Sequence, residues 1–295
     1  MAAQCVTVIG GANTDICGRP ERALVRHDSA PGRVSVRHGG VGRNIACGLA
    51  RLGLETRFVT ALGDDAFGLS ALEDCRARGV DMSLTRVVPG ARSSVYLYLS
   101  DEKGEMDAAV SDMEITASVT PAYLRTHLET INASAAVVLD GNLPEETIAF
   151  ACRHVTAPLI ADPVSAAKAP RFSSSLGRLA AIKPNLLEAR ALTGKESAED
   201  CAAALLEAGA GSVFLSLGSE GLLAARGEER VLLPCDELQT VSATGAGDAA
   251  TAAIVWAAVH RLGLAAAARA AVRAGALTAA SEETVSPLLC AERLL

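Results

Sequence analysis

The segment Ser242-Ala-Thr-Gly-Ala-Gly-Asp248 stands directly before an apolar stretch of helical character, Ala249–Val259. Two glycines at the entry to a helix let successive backbone N–H groups converge on one point, where the helix dipole adds positive potential. An anion fits that point. Asp248 is the only side chain in the segment able to take a proton from an attacking hydroxyl, and the dipole is expected to keep it ionised. An acceptor base beside N–H donors at Gly245, Ala246 and Gly247 is what transfer of a phosphoryl group requires. The same letters also spell an ordinary glycine turn with an acid at a helix start.

Three weaker signals accompany it. Gly39-Gly-Val-Gly-Arg-Asn44 has glycines where a polar ligand can approach the backbone, followed within one helical turn by Arg43 and Asn44, whose side chains could bind hydroxyls. Asn13 and Asp15 add an amide and a carboxylate suited to the vicinal hydroxyls of a sugar, although Asx residues beside Gly10-Gly11 are also common turn formers. In Asn185-Leu-Leu-Glu188 the three-residue spacing puts amide and carboxylate on one helix face. There they could order water around a magnesium ion on a nucleotide phosphate, or simply form a capping box. Leu217-Gly-Ser-Glu-Gly221, between two apolar runs, reads as a hairpin turn or as bare backbone for a nucleotide.

These residues need a scaffold that brings loops together at strand ends. Cys5–Ile9 is a short apolar run stopped by Gly10-Gly11, the pattern of a buried first strand turning into a loop. Val41, Ile45, Gly48, Leu49 and Leu52 recur at helical spacing, and Gly53 ends them. Strands are predicted at Thr56–Leu62, Ala135–Asp140, Leu159–Asp162, Ala180–Lys183 and Ser212–Leu217. Helices are predicted between them at Phe67–Arg78, Glu145–Val155, Leu186–Thr193 and Ala198–Ala208. That alternation predicts an α/β fold with a doubly wound, mostly parallel sheet flanked by helices. Arg19–His38 and Ser93–Val110 break the rhythm with short β-like runs, the second joined by the turn Asp101-Glu-Lys-Gly104. They predict a small separate sheet, able to cover a pocket or to pair with a second copy.

Composition narrows the partners. At 295 residues, half of them hydrophobic but only five Phe, three Tyr and one Trp, the core must be built of Ala, Val, Leu and Ile. The net charge of −7, without a basic block, argues against nucleic acid as a partner. Cys5, Cys17, Cys47, Cys75, Cys152, Cys201, Cys235 and Cys290 show no C-x-x-C pair, so reduced thiols in a cytoplasmic protein are expected. Neither a signal peptide nor a membrane span is expected: the Ala-rich stretch from Ala249 is interrupted by His260, Arg261, Arg269 and Arg273. No P-loop occurs, and the missing G-x-G-x-x-G counts against a nicotinamide-dependent oxidoreductase.

Taken in order, Gly10-Gly11 with Asn13 and Asp15, Gly39-Gly40 with Asn44, Leu62-Gly-Asp-Asp65 with Gly68, Asn185 with Glu188, Leu217-Gly218 with Gly221, and Thr244–Asp248 resemble the ribokinase-like (PfkB) carbohydrate kinases over nearly the whole chain. The resemblance implies one Rossmann-like domain with a β lid from segments near 17–38 and 92–110, and a homodimer through that lid. It implies ATP with Mg²⁺, a sugar or nucleoside acceptor at Asn13, Asp15, Gly39, Gly40, Arg43 and Asn44, and Asp248 as the base. It places the nucleotide at Asn185, Glu188, Ser216, Gly218, Gly221 and Thr244, with Asn185 and Glu188 holding Mg²⁺ through water. Pro31-Gly-Arg-Val34 leading into Gly39-Gly-Val-Gly-Arg-Asn-Ile-Ala46 is similar to the branch that phosphorylates pseudouridine on its 5′-hydroxyl. An acceptor for the extra ring N–H of a C-nucleoside is then expected, and Asp112 is the candidate, unless it is an exposed loop acid. Two departures stand out: Ser242 replaces an Asp that helps hold a monovalent cation in relatives, which leaves K⁺ dependence open, and Ala250 replaces a Phe. With no residues ahead of the first strand beyond Met1–Gln4, a fused DNA-binding domain is not expected.

Overall fold

Short apolar runs that are buried on both faces make parallel strands, and this chain has six of them in one sheet. The computed structural model describes residues 5–25, 27–101, 106–236 and 238–295. From one edge, the nine-stranded sheet runs Glu229–Leu233, Leu222–Arg226, Val213–Ser216, Leu179–Ile182, Leu159–Asp162, Ala136–Asp140, Val6–Ile9, Thr56–Val59 and Val80–Asp81. The first two pairings in that order are antiparallel; the other six are parallel. The chain builds outward from Val6–Ile9 in one direction and then from Ala136–Asp140 in the other, so the order reverses between these two strands. Open α/β sheets bind ligands at the carboxyl ends beside such a reversal.

Helices cover both faces and bury two apolar layers. Val41–Arg51, Ala246–Val259 and Leu264–Ala279 pack on one side; Glu145–His154, Leu186–Thr193 and Ala198–Glu207 pack on the other. Ala246–Val259 is buried nearly all round, which its alanines permit by letting neighbouring backbones approach. A Cβ at Gly48 would stand 3.1 Å from the Cβ of Ala252, so small residues set the spacing of the two helices nearest the site. Among the described residues no helix is long and apolar enough to cross a membrane.

The two irregular stretches join in one four-stranded sheet, ordered Gly32–Gly39, Asn13–Pro20, Val95–Ser100 and Met106–Asp112. It begins earlier than the sequence suggests: Asn13 and Asp15 lie on its second strand, not in a loop. Val95–Ser100 and Met106–Asp112 pair antiparallel, as a hairpin requires, while positions 102–104 of the expected turn lie outside the described residues. The register sorts the side chains into two faces. Asp15, Arg37, Tyr96 and Ser111 stand abreast on one; Ile16, Val36, Leu97 and Val110 stand abreast on the other. That second face is largely uncovered, with Val36 56 % and Val110 67 % exposed.

The predicted strand Thr56–Leu62 is instead two. Thr56–Val59 belongs to the main sheet, whereas Ala61–Gly63 turns away at Thr60 to pair with Arg86–Val88. A mostly buried run cannot reveal such a change of partner, because Phe58 and Val59 before Thr60 are as buried as Ala61 and Leu62 after it.

Candidate active site

Three parallel strands end in charged residues at adjacent positions: Asp140, Asp162 and, one residue past its strand, Lys183. All three are buried, at 0 %, 2 % and 5 % exposure, so each must be paired or hydrogen-bonded. Lys183 Nζ lies 3.2 Å from Asp162 Oδ2, which also accepts from Thr251 Oγ1 at 2.7 Å. Asp140 accepts from the backbone N–H groups of Gly11 at 2.8 Å and Asn142 at 2.9 Å. None of these three charges was singled out from the sequence. The signal was an apolar run closed by a charged residue, repeated on successive strands.

Above them starts the helix Ala246–Val259. Gly245 caps it in the left-handed region, φ +85°, and a Cβ there would lie 2.3 Å from Thr284 O. No side chain caps this helix, so its first N–H groups face outward without a protein acceptor from a side chain. Lys183 stands directly beneath: a Cβ on Gly247 would meet its Nζ at 3.1 Å. Uncapped N–H groups with a buried ammonium behind them make a site for a phosphoryl group.

Asp248 accepts a 2.8 Å hydrogen bond from Asn44 Nδ2. Asn44 is itself fixed by Arg43 Nη1 at 3.0 Å and Thr284 Oγ1 at 3.3 Å, both donating to its Oδ1. The helix dipole does not act on Asp248 alone. Burial of the carboxyl, reinforced by Asp162, outweighs Asn44 and Lys183 and pushes its pKa up to about 7. The residue as a whole retains some exposed area, but its carboxyl is packed among protein atoms, and those set the balance. Asp140 is likewise raised, to about 6, by burial against the pull of its N–H donors. Burial also raises Glu188, with Asp162 adding to it. Lys183 goes the other way: burial lowers it, yet Asp162, Glu188 and Asp248 outweigh burial and hold it above its ordinary value.

The residues expected to hold the acceptor gather around Gly10-Gly11 and Gly39-Gly40. Asn13 Nδ2 donates to Asp15 Oδ1 at 2.5 Å, and Asp15 packs on Gly39, where a Cβ would sit 2.2 Å from its Oδ2. Gly40, φ +99°, leaves room for the backbone of Gly11 and Ala12. A Cβ at Gly10 would strike Asp140 Oδ2 at 2.4 Å and one at Gly42 would come within 2.9 Å of it. Contacts thus run from Asp248 through Asn44 to the glycine turns and on to Asn13 and Asp15.

Two sequence candidates stand elsewhere. The Arg43 side chain turns away from the hydroxyl-binding side into a part-buried ion pair with Asp74, which Arg78 shares, and that side chain touches the site only through Asn44, while its backbone N–H donates to Gly11 O. A guanidinium that is 3 % exposed needs a full counter-charge more than a neutral ligand, and Asp74 supplies it. Asp112 sits exposed at the far end of its strand, abreast of Val95 and on the face opposite Asp15, and its carboxylate accepts from Glu114 N–H at 3.5 Å.

Of the residues expected at the nucleotide, Asn185 and Glu188 form the reciprocal capping box, with Asn185 Nδ2 giving Glu188 Oε1 a further bond of 2.8 Å. Ser216 bridges to Asn185 across neighbouring strand ends, Gly218 opens to solvent at φ +64°, and Gly221 lets Leu233 O approach. Thr244 is exposed on the turn before Gly245. Leu217–Gly221 is therefore a hairpin connection, and that reading leaves its outer backbone accessible. Among the described residues no three His, Cys, Asp or Glu converge for direct metal ligation. The carboxylates of Asp162 and Glu188 are hard oxygen donors of the kind that suit a magnesium ion keeping its water.

The model of the pfkB family carbohydrate kinases matches residues 3–289. The chain is 37% identical over 257 residues to pseudouridine kinase of Escherichia coli strain K12, covering 84% of this chain and 82% of that one. A carbohydrate kinase from Agrobacterium tumefaciens superposes with a TM-score of 0.87 at 30% identity, over 99% of this chain and 95% of that one. Arabidopsis thaliana ribokinase complexed with ribose and ATP superposes at 0.85 with 25% identity, over 96% and 95%. The chain belongs to the pfkB family of carbohydrate kinases, phosphotransferases that use ATP and an alcohol acceptor.

Proposed function

We propose that the chain phosphorylates the 5′-hydroxyl of a nucleoside, pseudouridine, with ATP. The observation that carries this reading is Asp248, fixed by Asn44 beside the uncapped, Lys183-backed start of its helix. Likeness to the pseudouridine kinase of Escherichia coli selects the acceptor. Asn13, Asp15, Gly39, Gly40 and Asn44 hold the ribose. The 5′-oxygen attacks the γ-phosphorus, the bond to the β,γ-bridging oxygen breaks, and the hydroxyl proton passes to Asp248. Gly245–Gly247 N–H groups and Lys183 hold the charge on the transferring group. A magnesium ion on the nucleotide, held through water near Asn185, Glu188 and Asp162, would neutralise phosphate charge.

The smaller sheet serves as a lid that excludes water from the transfer. Its polar face, with Tyr96, Tyr98 and Ser111, lies against the nucleobase, so base recognition falls to that face rather than to Asp112. Its apolar face, with Val34, Val36, Leu97 and Val110, pairs with a second copy as a homodimer. The cytoplasm, where ATP is supplied, is its location.

An ADP-release assay over pseudouridine, uridine, adenosine, ribose and fructose tests the reading. We expect kcat/KM for pseudouridine to exceed the others by at least tenfold. A preference for ribose would transfer the assignment to ribokinase, to which Bacillus subtilis offers a relative at 29% identity over 82% of this chain and 81% of that one. No turnover of any acceptor would refute the kinase.

A further inference from the structure

The segment Glu282–Thr284 touches three functional parts that the sheet topology keeps apart. At one end, Arg37 Nη1 on the smaller sheet donates to Glu282 O at 2.6 Å. At the other, Thr284 abuts Gly245, whose lack of a side chain lets Thr284 O come close, and Thr284 Oγ1 donates to Asn44 Oδ1 at 3.3 Å. In between, Glu283 stands 4.0 Å from Arg78 of the neighbouring helix end. Arg37 stands directly abreast of Asp15 in the sheet register. One exposed arginine on Gly32–Gly39, the strand paired with the one that carries Asp15, thus reaches the segment that packs on Gly245 and Asn44.

Resting on the kinase reading, we propose that Arg37 is a positioning residue: it latches the smaller sheet to the Gly245–Gly247 turn through the backbone of Glu282–Thr284. The latch is the bond to the carbonyl, not the ion pair. Arg37 and the Glu282 carboxylate are 3.9 Å apart with side chains 53% and 79% exposed, a geometry in which solvent screens most of the attraction. The carbonyl bond is short and survives any change of the Glu282 side chain. Seating the smaller sheet over an acceptor therefore also seats Thr284 against Gly245 and Asn44, so that the base and the phosphoryl-binding N–H groups come into register together.

Two measurements on the full chain test this. The first is hydrogen exchange of the Gly245–Ala249 amides without any substrate, with the core strand Val213–Ser216 as internal reference. Arg37→Ala should speed exchange at the turn about fivefold, the factor that a hydrogen bond of about 1 kcal/mol gives. The reference strand should be unchanged. The second is steady-state kinetics: Arg37→Ala should lower kcat about fivefold with acceptor KM altered less than twofold, Arg37→Lys should restore at least half of kcat, and Glu282→Ala should match the unaltered protein. Unchanged exchange at the turn overturns the proposal whatever the activity. Faster exchange with unchanged kcat, or an equal loss in Glu282→Ala, also overturns it. Failure of the unaltered chain to phosphorylate any acceptor refutes the kinase and leaves the exchange result standing by itself.

Discussion

Asp248 is a group whose chemistry and stability pull in opposite directions, and Asp248→Asn separates them. The carboxyl is raised from its ordinary 3.8 to about 7 by burial and by Asp162. Between those two values the folded chain holds a proton that the unfolded chain has lost, so stability falls as pH rises through that window. Three pH units correspond to about 4 kcal/mol, and the part of the residue open to solvent reduces this to about 2–3 kcal/mol. The amide of Asn keeps an oxygen to accept from Asn44 Nδ2 and carries no charge. At pH 8 the variant should therefore be more stable than the unaltered chain by about 2–3 kcal/mol, while kcat falls by orders of magnitude. Urea unfolding at pH 8, 6 and 4.5 measures this: the gain should shrink steadily as pH drops and vanish near pH 4. A gain that does not vary with pH, or a loss at pH 8, would show that the carboxyl is not strained by its surroundings and would remove the account of its elevated pKa.

Three further outcomes are expected. Because only ionised Asp248 can accept a proton and its pKa stands at about 7, kcat should decline close to tenfold per pH unit on the acid side of neutrality, read from a pH–rate profile under saturating substrates. Lys183→Met leaves Asp162 buried without a counter-charge and should cost about 3–5 kcal/mol in urea unfolding, together with a fall in kcat. Arg43→Ala leaves Asp74 to Arg78 alone, so it should cost about 1–3 kcal/mol while the acceptor KM stays within threefold; a large rise in KM would put Arg43 back against the acceptor.

Most of the main sheet was legible because its strands are short, unbroken apolar runs stopped by glycine or charge, as at Ile9-Gly10 and Leu139-Asp140. Leu186–Thr193, opened by Asn185 and closed by Gly194, could be placed to the residue, whereas the helix predicted at Phe67–Arg78 stands one residue earlier, at Ala66–Ala77. What local pattern could not show was which strands share a sheet. Thr60 divides one run between two sheets, and Asn13–Ile16 leaves the loop expected of it to start a strand of the smaller sheet that pairs with Gly32–Gly39. In the site, Asp248, Asn44 and the glycines were legible as motifs. Lys183, Asp140 and Asp162 were not, because their importance comes from being abreast of one another across parallel strands, a relation carried by register and not by spacing along the chain. Arg43 and Asp112 misled for the same reason: residue type marks what a side chain can do, and packing decides which way it faces.

The glycines packed against internal carboxylates carry a lesson about inheritance. Gly10 and Gly42 are hemmed in by Asp140, and Gly39 by Asp15, whether or not any ligand is bound. In a descendant of this chain that had abandoned phosphoryl transfer, a side chain at these positions would still force the carboxylates to move, so their survival records packing as well as ancestry. Asp248 is different in kind: its neighbours disfavour its charge, and a neutral residue of the same shape would sit there more comfortably. In a lineage released from selection for turnover, it is the first member of the site expected to drift. Of all the motif residues in this sequence, it is the one whose presence speaks for a working enzyme.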